Sequence, residues 1–334
     1  MKVAVMGAGS WGTVFSMILA DAGSEVTLWA RSQSIADDIN ATRVNHAYHS
    51  DLVLPDRIAA TTNPVEALAN AEVVVLAIPA QLLRQTLSAW KISIPESSLV
   101  VSLIKGIELG TAERMSEVIA EVADIDISRV AIVSGPNLAT EIAMREPAAT
   151  TVACVDESAA RIIQDLCATR YFRPYYTTDV IGVEIAGAVK NVIALATGMA
   201  VGLGYGENSQ AALMTRGLAE MTRLGVALGA NPLTFSGLAG VGDLMATCDS
   251  PLSRNRTFGV ALGQGKTMDE AQAIIRTTSE GVKSCSSILE LARRNQVDMP
   301  ITEQVVKVIH EGKKPSDVLN TLMARSTRAE EGQE

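Results

Sequence analysis

In the stretch EIAGAVKNVIALATGMAVGL, Glu184 to Leu203, nearly every residue is small or apolar, yet Lys190 sits in its middle. Burying an unpaired ammonium group is very costly, so a lysine here is either badly placed or useful. On a helix its neighbours three and four residues away are Ala186, Gly187, Ile193 and Ala194. Three of these are small, which leaves room for the lysine head to reach into a cleft. Desolvation also lowers a lysine pKa, and that suits proton transfer near neutral pH.

Two further groups sit where ligands bind in open α/β sheets, outside the carboxyl ends of strands. SLIKGIE places Lys105 and Gly106 there, and VSGPNLATE does the same for Gly135, Pro136 and Asn137. Asn137 is expected to cap the helix that follows, whose free N–H groups would favour an anion. Downstream, LAGVGDLMATCDSPLSRNRTFG, Leu238 to Gly259, carries Asp243, Thr247, Ser253, Arg254, Asn255 and Arg256. Its glycines suggest a long loop-rich segment. Ser253, Arg254 and Asn255 form a donor-rich trio, and Arg254 offers a bidentate grip on phosphate.

A fourth motif binds rather than reacts. GAGSWG puts Gly7, Gly9 and Gly12 in G-x-G-x-x-G spacing, directly after a strand and before an amphipathic helix. In that context Gly7 makes a tight turn, Gly9 lets the backbone approach a pyrophosphate, and Gly12 lets helix and sheet pack closely. The helix N-terminus supplies N–H groups for the phosphates. The next strand ends in Ala30-Arg31-Ser32, where a strictly NAD-selective site usually has an acid. Arg31 and Ser32 suit a 2′-phosphate, so NADP is expected to be accepted as well as NAD. In LAIPAQ, a strand ending at Pro79 would turn beside the nicotinamide ribose; Gln81 belongs there or simply starts the next helix.

The elements that hold these groups follow two rhythms. KVAVMG, EVTLWA, EVVVLAI, SLVVSLI and RVAIVSG read as strands, several of them apolar throughout, as in a parallel sheet covered on both faces. Helical patterns lie between them at Trp11–Ala22, Ser34–Asn40, Pro64–Ala69, Leu82–Ala89 and Thr111–Val122. ATTVACV and a run near Tyr175 add edge strands. After Thr178 helices dominate: Val180–Val201, Gln210–Leu228, Met268–Ile275, Val282–Asn295 and Thr302–His310. The expected fold is an α/β Rossmann-type doubly wound sheet over residues 1–178, followed by an all-helical domain over residues 179–334. Ser326 to Glu334 is polar and expected to fray.

Composition narrows the partners. The net charge of −9 over 334 residues argues against general nucleic-acid or anionic-membrane binding. The four cysteines form no CxxC pair, and the three histidines complete no metal-ligand pattern, although His46 and His49 could face each other on one turn. A reduced, cytoplasmic protein without structural zinc is expected. No signal peptide is expected either, because Met1-Lys2 runs straight into VAVMGAG. The Lys190 stretch is long enough to span a membrane, but its polar residues suit a buried core helix better.

Taken together, GAGSWG, KGIE, SGPNLATE, EIAGAVKNVIALATG, GVGDLMATC, SPLSRNRTFG and TTSEGV closely resemble the bacterial type of NAD(P)-dependent glycerol-3-phosphate dehydrogenase. The resemblance covers nearly all of the chain. It implies interconversion of sn-glycerol 3-phosphate and dihydroxyacetone phosphate, serving phospholipid biosynthesis, and commonly a homodimer. It places Ser10, Trp11, Arg31, Tyr48, Lys105, Ala139, Arg254, Thr278 and Glu280 on the cofactor. It places Lys105, Gly135, Asn137, Lys190, Asp243, Ser253, Arg254 and Asn255 on the substrate, with Lys190 as general acid and base. Asn137 departs from the family, which usually has serine or threonine there. A hydroxyacid reductase with a helix lysine and a non-catalytic dinucleotide sensor are the rival readings; the reductase would not need the Ser-Arg-Asn trio, and the sensor would keep GAGSWG but have no reason to keep a lysine in an apolar helix.

Overall fold

The computed structural model describes residues 1–275 and 279–324. Thr278 and the segment expected to fray, Ser326 to Glu334, lie outside the described residues.

Among the described residues eight strands form one sheet: β1 Lys2–Met6, β2 Glu25–Trp29, β3 Ile58–Thr61, β4 Val73–Leu76, β5 Leu99–Ser102, β6 Val130–Ser134, β7 Ala148–Ala153 and β8 Phe172–Thr177. Their order is β3-β2-β1-β4-β5-β6-β7-β8, and every pair is parallel except β6 with β7. The order reverses between β1 and β4, and that is where a doubly wound sheet opens a crevice at its carboxyl edge. β4 reads VVVL and is buried at all four positions, because helices cover both faces of the sheet.

Seven helices belong to the sheet: α1 Ser10–Asp21, α2 Gln33–Thr42, α3 Pro64–Leu68, α4 Leu83–Trp90, α5 Met115–Ala123, α6 Ala139–Ala143 and α7 Glu157–Cys167. Sequence reading missed β3 and α7. β3 is a four-residue edge strand with only Ala60 buried, so it has no apolar run. α7 did carry a signal: Asp156 caps it by accepting from Ser158 and Ala159, and Ile163 and Leu166 line its inner face.

Among the described residues eight helices follow: α8 Val180–Gly202, α9 Glu207–Ala227, α10 Asp243–Asp249, α11 Arg254–Gly263, α12 Met268–Ile275, α13 Glu280–Arg294, α14 Pro300–Glu311 and α15 Pro315–Met323. The central element is α8. It is apolar and long enough for a membrane span, but 94% of its most apolar window is buried inside the protein. α11 crosses it backbone to backbone: a Cβ on Gly198 would lie 2.2 Å from the Arg256 carbonyl oxygen, and one on Gly259 would lie 2.2 Å from that of Leu195. Gly259 is therefore a packing residue inside a helix, not part of a loop. The segment read as loop-rich is largely helical, with a π-helical turn at Leu238–Gly242 running into α10 and then α11.

Glu184 explains itself as the docking point of α8 on the sheet domain. Its carboxylate accepts from Ser116 N at 2.8 Å, Ser116 Oγ at 2.6 Å and Arg114 at 2.9 Å. It thereby satisfies one of the free N–H groups at the start of α5, that of Ser116. Burial raises the Glu184 pKa, and Arg114 opposes that shift.

Candidate active site

Lys190 lies about one and two-thirds turns beyond Glu184 on α8 and is 6% exposed. Its Nζ donates to Asp243 Oδ1 and, at 2.6 Å, to Thr247 Oγ1. Asp243 and Thr247 are one turn apart on α10, so a single helix face meets the lysine. The other Asp243 oxygen, Oδ2, accepts from Lys105 Nζ at 2.6 Å, and the same ammonium donates to the Gly135 carbonyl at 3.1 Å. One carboxylate, 1% exposed, thus serves two lysines, one just past β5 and one in the middle of α8. The expected open room around Lys190 is filled instead by Asp243 and Thr247. Burial lowers the Lys190 pKa to about 8; Asp243 pulls it back up, and Lys105 pushes it further down. The signal for Thr247 was its spacing of four from Asp243.

The Ser-Arg-Asn trio opens α11. Ser253 is the N-cap and accepts from Arg256 N at 3.3 Å. Arg254 is the first helical residue, and its charge lowers the pKa of Glu280, which burial otherwise raises. A helix N-terminus beside an arginine is a suitable anion site. Asn255 is mostly occupied by the protein: Oδ1 accepts from Gly281 N and Ser279 Oγ, and Nδ2 donates to Asn191 Oδ1 at 3.0 Å. Asn191 directly follows Lys190, so this bond fixes the start of α11 beside the lysine.

Asn137 does not cap a helix. The cap of α6 is Leu138, and α6 has only five residues. The Asn137 side chain is instead turned to β7, where its Nδ2 donates to Thr150 Oγ1 at 2.9 Å. Support for a phosphate from a helix start at Asn137 is therefore absent among the described residues.

At the crevice, Gly7 has φ +137°, and a Cβ there would lie 2.3 Å from the Ala77 carbonyl oxygen. Only glycine makes this turn. A Cβ on Gly12 would lie 1.9 Å from Gly7 O, so α1 sits directly on the turn. Sequence reading missed two side chains that brace it. Asn45 donates to Ala8 O at 3.1 Å and to Thr13 Oγ1 at 2.9 Å. His49 Nε2 lies 3.0 Å from Ser10 Oγ and 3.1 Å from Ser10 O, and burial lowers its pKa. His46 instead lies 2.9 Å from Asp38, so the two histidines do not face one another. No metal-binding cluster of three or more His, Cys, Asp or Glu exists among the described residues.

Comparison with known proteins settles the family. The family described as NAD-dependent glycerol-3-phosphate dehydrogenase matches residues 2–160 with its N-terminal part and 179–320 with its C-terminal part. A protein of Streptomyces griseus named glycerol-3-phosphate dehydrogenase [NAD(P)+] is 58% identical over 99% of this chain and 98% of its own length. A Corynebacterium diphtheriae protein of the same name is 56% identical over 99% of this chain and all of its own. The crystal structure of glycerol-3-phosphate dehydrogenase from Coxiella burnetii superposes with a TM-score of 0.92 at 35% identity, covering 97% of this chain and 99% of that one. The chain belongs to the NAD-dependent glycerol-3-phosphate dehydrogenase family. It is an NAD(P)-dependent oxidoreductase.

The glycine turn of this dehydrogenase fits a dinucleotide. A Cβ on Gly9 would meet nothing within 4 Å, so the space before the N-terminus of α1 is open to a pyrophosphate. Ser10 begins α1, while the Trp11 ring packs on Phe15 and Phe172 and leaves its backbone N–H at the helix start. Arg31 and Tyr48 are exposed, and Ser32 pairs with Ser34 at 2.7 Å. Ala139 begins α6. Glu280 begins α13, and its Oε2 is buried without a hydrogen-bond partner among the described residues. Gln81 bridges Ile107 O and Leu109 N at 2.9 Å each, which makes it a brace for the Lys105 segment.

Proposed function

We propose that the enzyme reduces dihydroxyacetone phosphate to sn-glycerol 3-phosphate, reversibly, with Lys190 as the proton donor. The observation that carries this reading is the Asp243 carboxylate shared by Lys190 and Lys105. NADH or NADPH, when bound at the glycine turn, would supply the hydride for the ketone carbon. Charge then grows on the carbonyl oxygen, and Lys190 gives it a proton. Asp243 and Thr247 hold the ammonium in place. Asp243 also keeps Lys105 at the same spot, where its positive charge stabilises the developing alkoxide. In the reverse direction neutral Lys190 takes the alcohol proton.

The start of α11, with Arg254, holds the phosphate. Arg254 has a charge partner in Glu280, so the same residue links the substrate and cofactor ends. Residues 1–178 form the dinucleotide-binding unit and 179–334 the substrate unit. Ser10, Trp11, Arg31, Ser32, Tyr48, Ala139, Thr278 and Glu280 serve the cofactor in this reading. The product feeds glycerophospholipid synthesis in the cytoplasm, and the enzyme works as a homodimer; the family resemblance supports these points. The decisive experiment follows NADPH and NADH oxidation optically with dihydroxyacetone phosphate. Turnover of a hydroxyacid but not of this ketone would replace the reading with the reductase alternative.

A further inference from the structure

Thr150, in β7, is completely buried. Its hydroxyl donates to the Ser134 carbonyl, at the end of β6, at 3.1 Å. A hydroxyl has one proton. The 2.9 Å contact between Thr150 Oγ1 and Asn137 must therefore run the other way, with Nδ2 donating. The two ends of an amide have the same shape and are told apart only by such a network. Here the network is decisive: Nδ2 faces Thr150, and Oδ1 is the end left over. Oδ1 is buried and has no partner among the described residues.

The surroundings tie this acceptor to the reacting centre. Gly135, two residues before Asn137, gives its carbonyl to Lys105. Gly135 has φ +150°, and a Cβ there would lie 3.1 Å from Thr150 Cα and 3.3 Å from its hydroxyl oxygen. Thr150 thus presses on the same turn that holds Lys105. A buried acceptor left unmade is costly, and a ligand donor removes the cost. A phosphate dianion has no proton to donate, and its oxygens are repelled by a carbonyl oxygen. The free hydroxyl of the triose is a donor.

We infer that Thr150 is a positioning residue that holds the Asn137 amide with Oδ1 toward the substrate, where it accepts a hydrogen bond from the free hydroxyl beside the ketone. The inference rests on the proposed reduction of dihydroxyacetone phosphate. It predicts selection for ketose phosphates bearing that hydroxyl over the deoxy analogue, hydroxyacetone phosphate.

The test compares kcat/KM for the two ketones, with NADPH, in wild type, Thr150→Val, Thr150→Ser and Asn137→Ala. Wild type should favour dihydroxyacetone phosphate by about 10- to 100-fold, the range expected when a buried polar group loses its partner. Thr150→Val keeps the shape but frees the amide to turn. Its preference should fall to about threefold or less, through a higher KM for the hydroxylated ketone alone. Thr150→Ser should restore the preference. Asn137→Ala should lose it, and this variant carries the test if the valine variant does not fold. Thermal melting and NADPH titration report folding separately. An undiminished preference in folded Thr150→Val or in Asn137→Ala overturns the inference, as does a wild type that reduces both ketones equally. A wild type that reduces neither ketone overturns the functional reading beneath it.

Discussion

Lys190 and Asp243 are 53 residues apart in sequence and form an ion pair between α8 and α10 with both side chains nearly out of water. The arrangement answers the problem posed by an ammonium group in an apolar helix. Burial alone would drive the lysine neutral, and the carboxylate keeps it able to hold a proton. Lys105 then prevents that proton from being held too tightly.

Lys190→Met keeps most of the stem and removes the charge. The folded variant should still bind NADPH and should lose about 10²- to 10⁴-fold in kcat, the usual share of general acid catalysis. The purely structural alternative predicts lower thermal stability but wild-type turnover in the folded fraction. Melting with and without NADPH, beside single-turnover kinetics, separates the two. Wild-type chemistry in a folded, cofactor-binding Lys190→Met enzyme would remove the lysine from the mechanism.

Arg254→Ala should raise the KM for dihydroxyacetone phosphate by about tenfold or more, because an exposed guanidinium at the start of α11 would no longer grip the phosphate. NADPH should weaken as well, because Arg254 shares its surroundings with Glu280. The measurement is steady-state kinetics in both ligands. An unchanged KM for each would take the phosphate away from the start of α11.

The glycine turn and the strand-helix alternation were legible because each rests on local rules. Gly7 makes the tight turn and Gly12 the close helix packing that their spacing demands, and apolar strands such as β4 announce a covered sheet. Lys190 was legible as an anomaly, a charge in an apolar helix. Its partners were less so, because nothing local says that α10 turns Asp243 and Thr247 toward α8. The glycines of 238–259 misled for a related reason. Glycine marks both loops and close helix crossings, and only the tertiary contact of Gly198 with α11 tells them apart. Asn45 and His49 were invisible because their partners are the backbone and side chains of α1 and its turn, more than thirty residues away.

Arg31→Asp tests the cofactor's adenosine end. Arg31 is exposed just past β2, where a 2′-phosphate would lie in this fold. The charge reversal should raise the KM for NADPH by about tenfold or more, while NADH changes little. Paired kinetics with both cofactors give the answer. Equal losses would show that Arg31 does not read the 2′-phosphate.

The pH dependence tests the Lys190 environment directly, and its sign depends on direction. Ketone reduction needs the protonated lysine. With a pKa lowered to about 8 by burial, kcat/KM for dihydroxyacetone phosphate should be level at lower pH and fall tenfold per unit above about 8. Oxidation of sn-glycerol 3-phosphate needs the neutral amine, so its kcat/KM should climb over the same interval and level off above it. Asp243→Asn removes the carboxylate that holds the proton on Lys190. The lysine pKa should fall further, and the two limbs should move together to lower pH in folded enzyme. The folded variant should also be less stable by about 3–5 kcal/mol, since buried Lys190 and half-buried Lys105 lose their shared counter-charge. A general acid elsewhere would leave both limbs where they were. Initial rates in both directions across pH 6–10, for wild type and Asp243→Asn, distinguish these outcomes. Limbs that stay fixed while stability drops would leave Asp243 as a structural partner and move the proton donor away from Lys190.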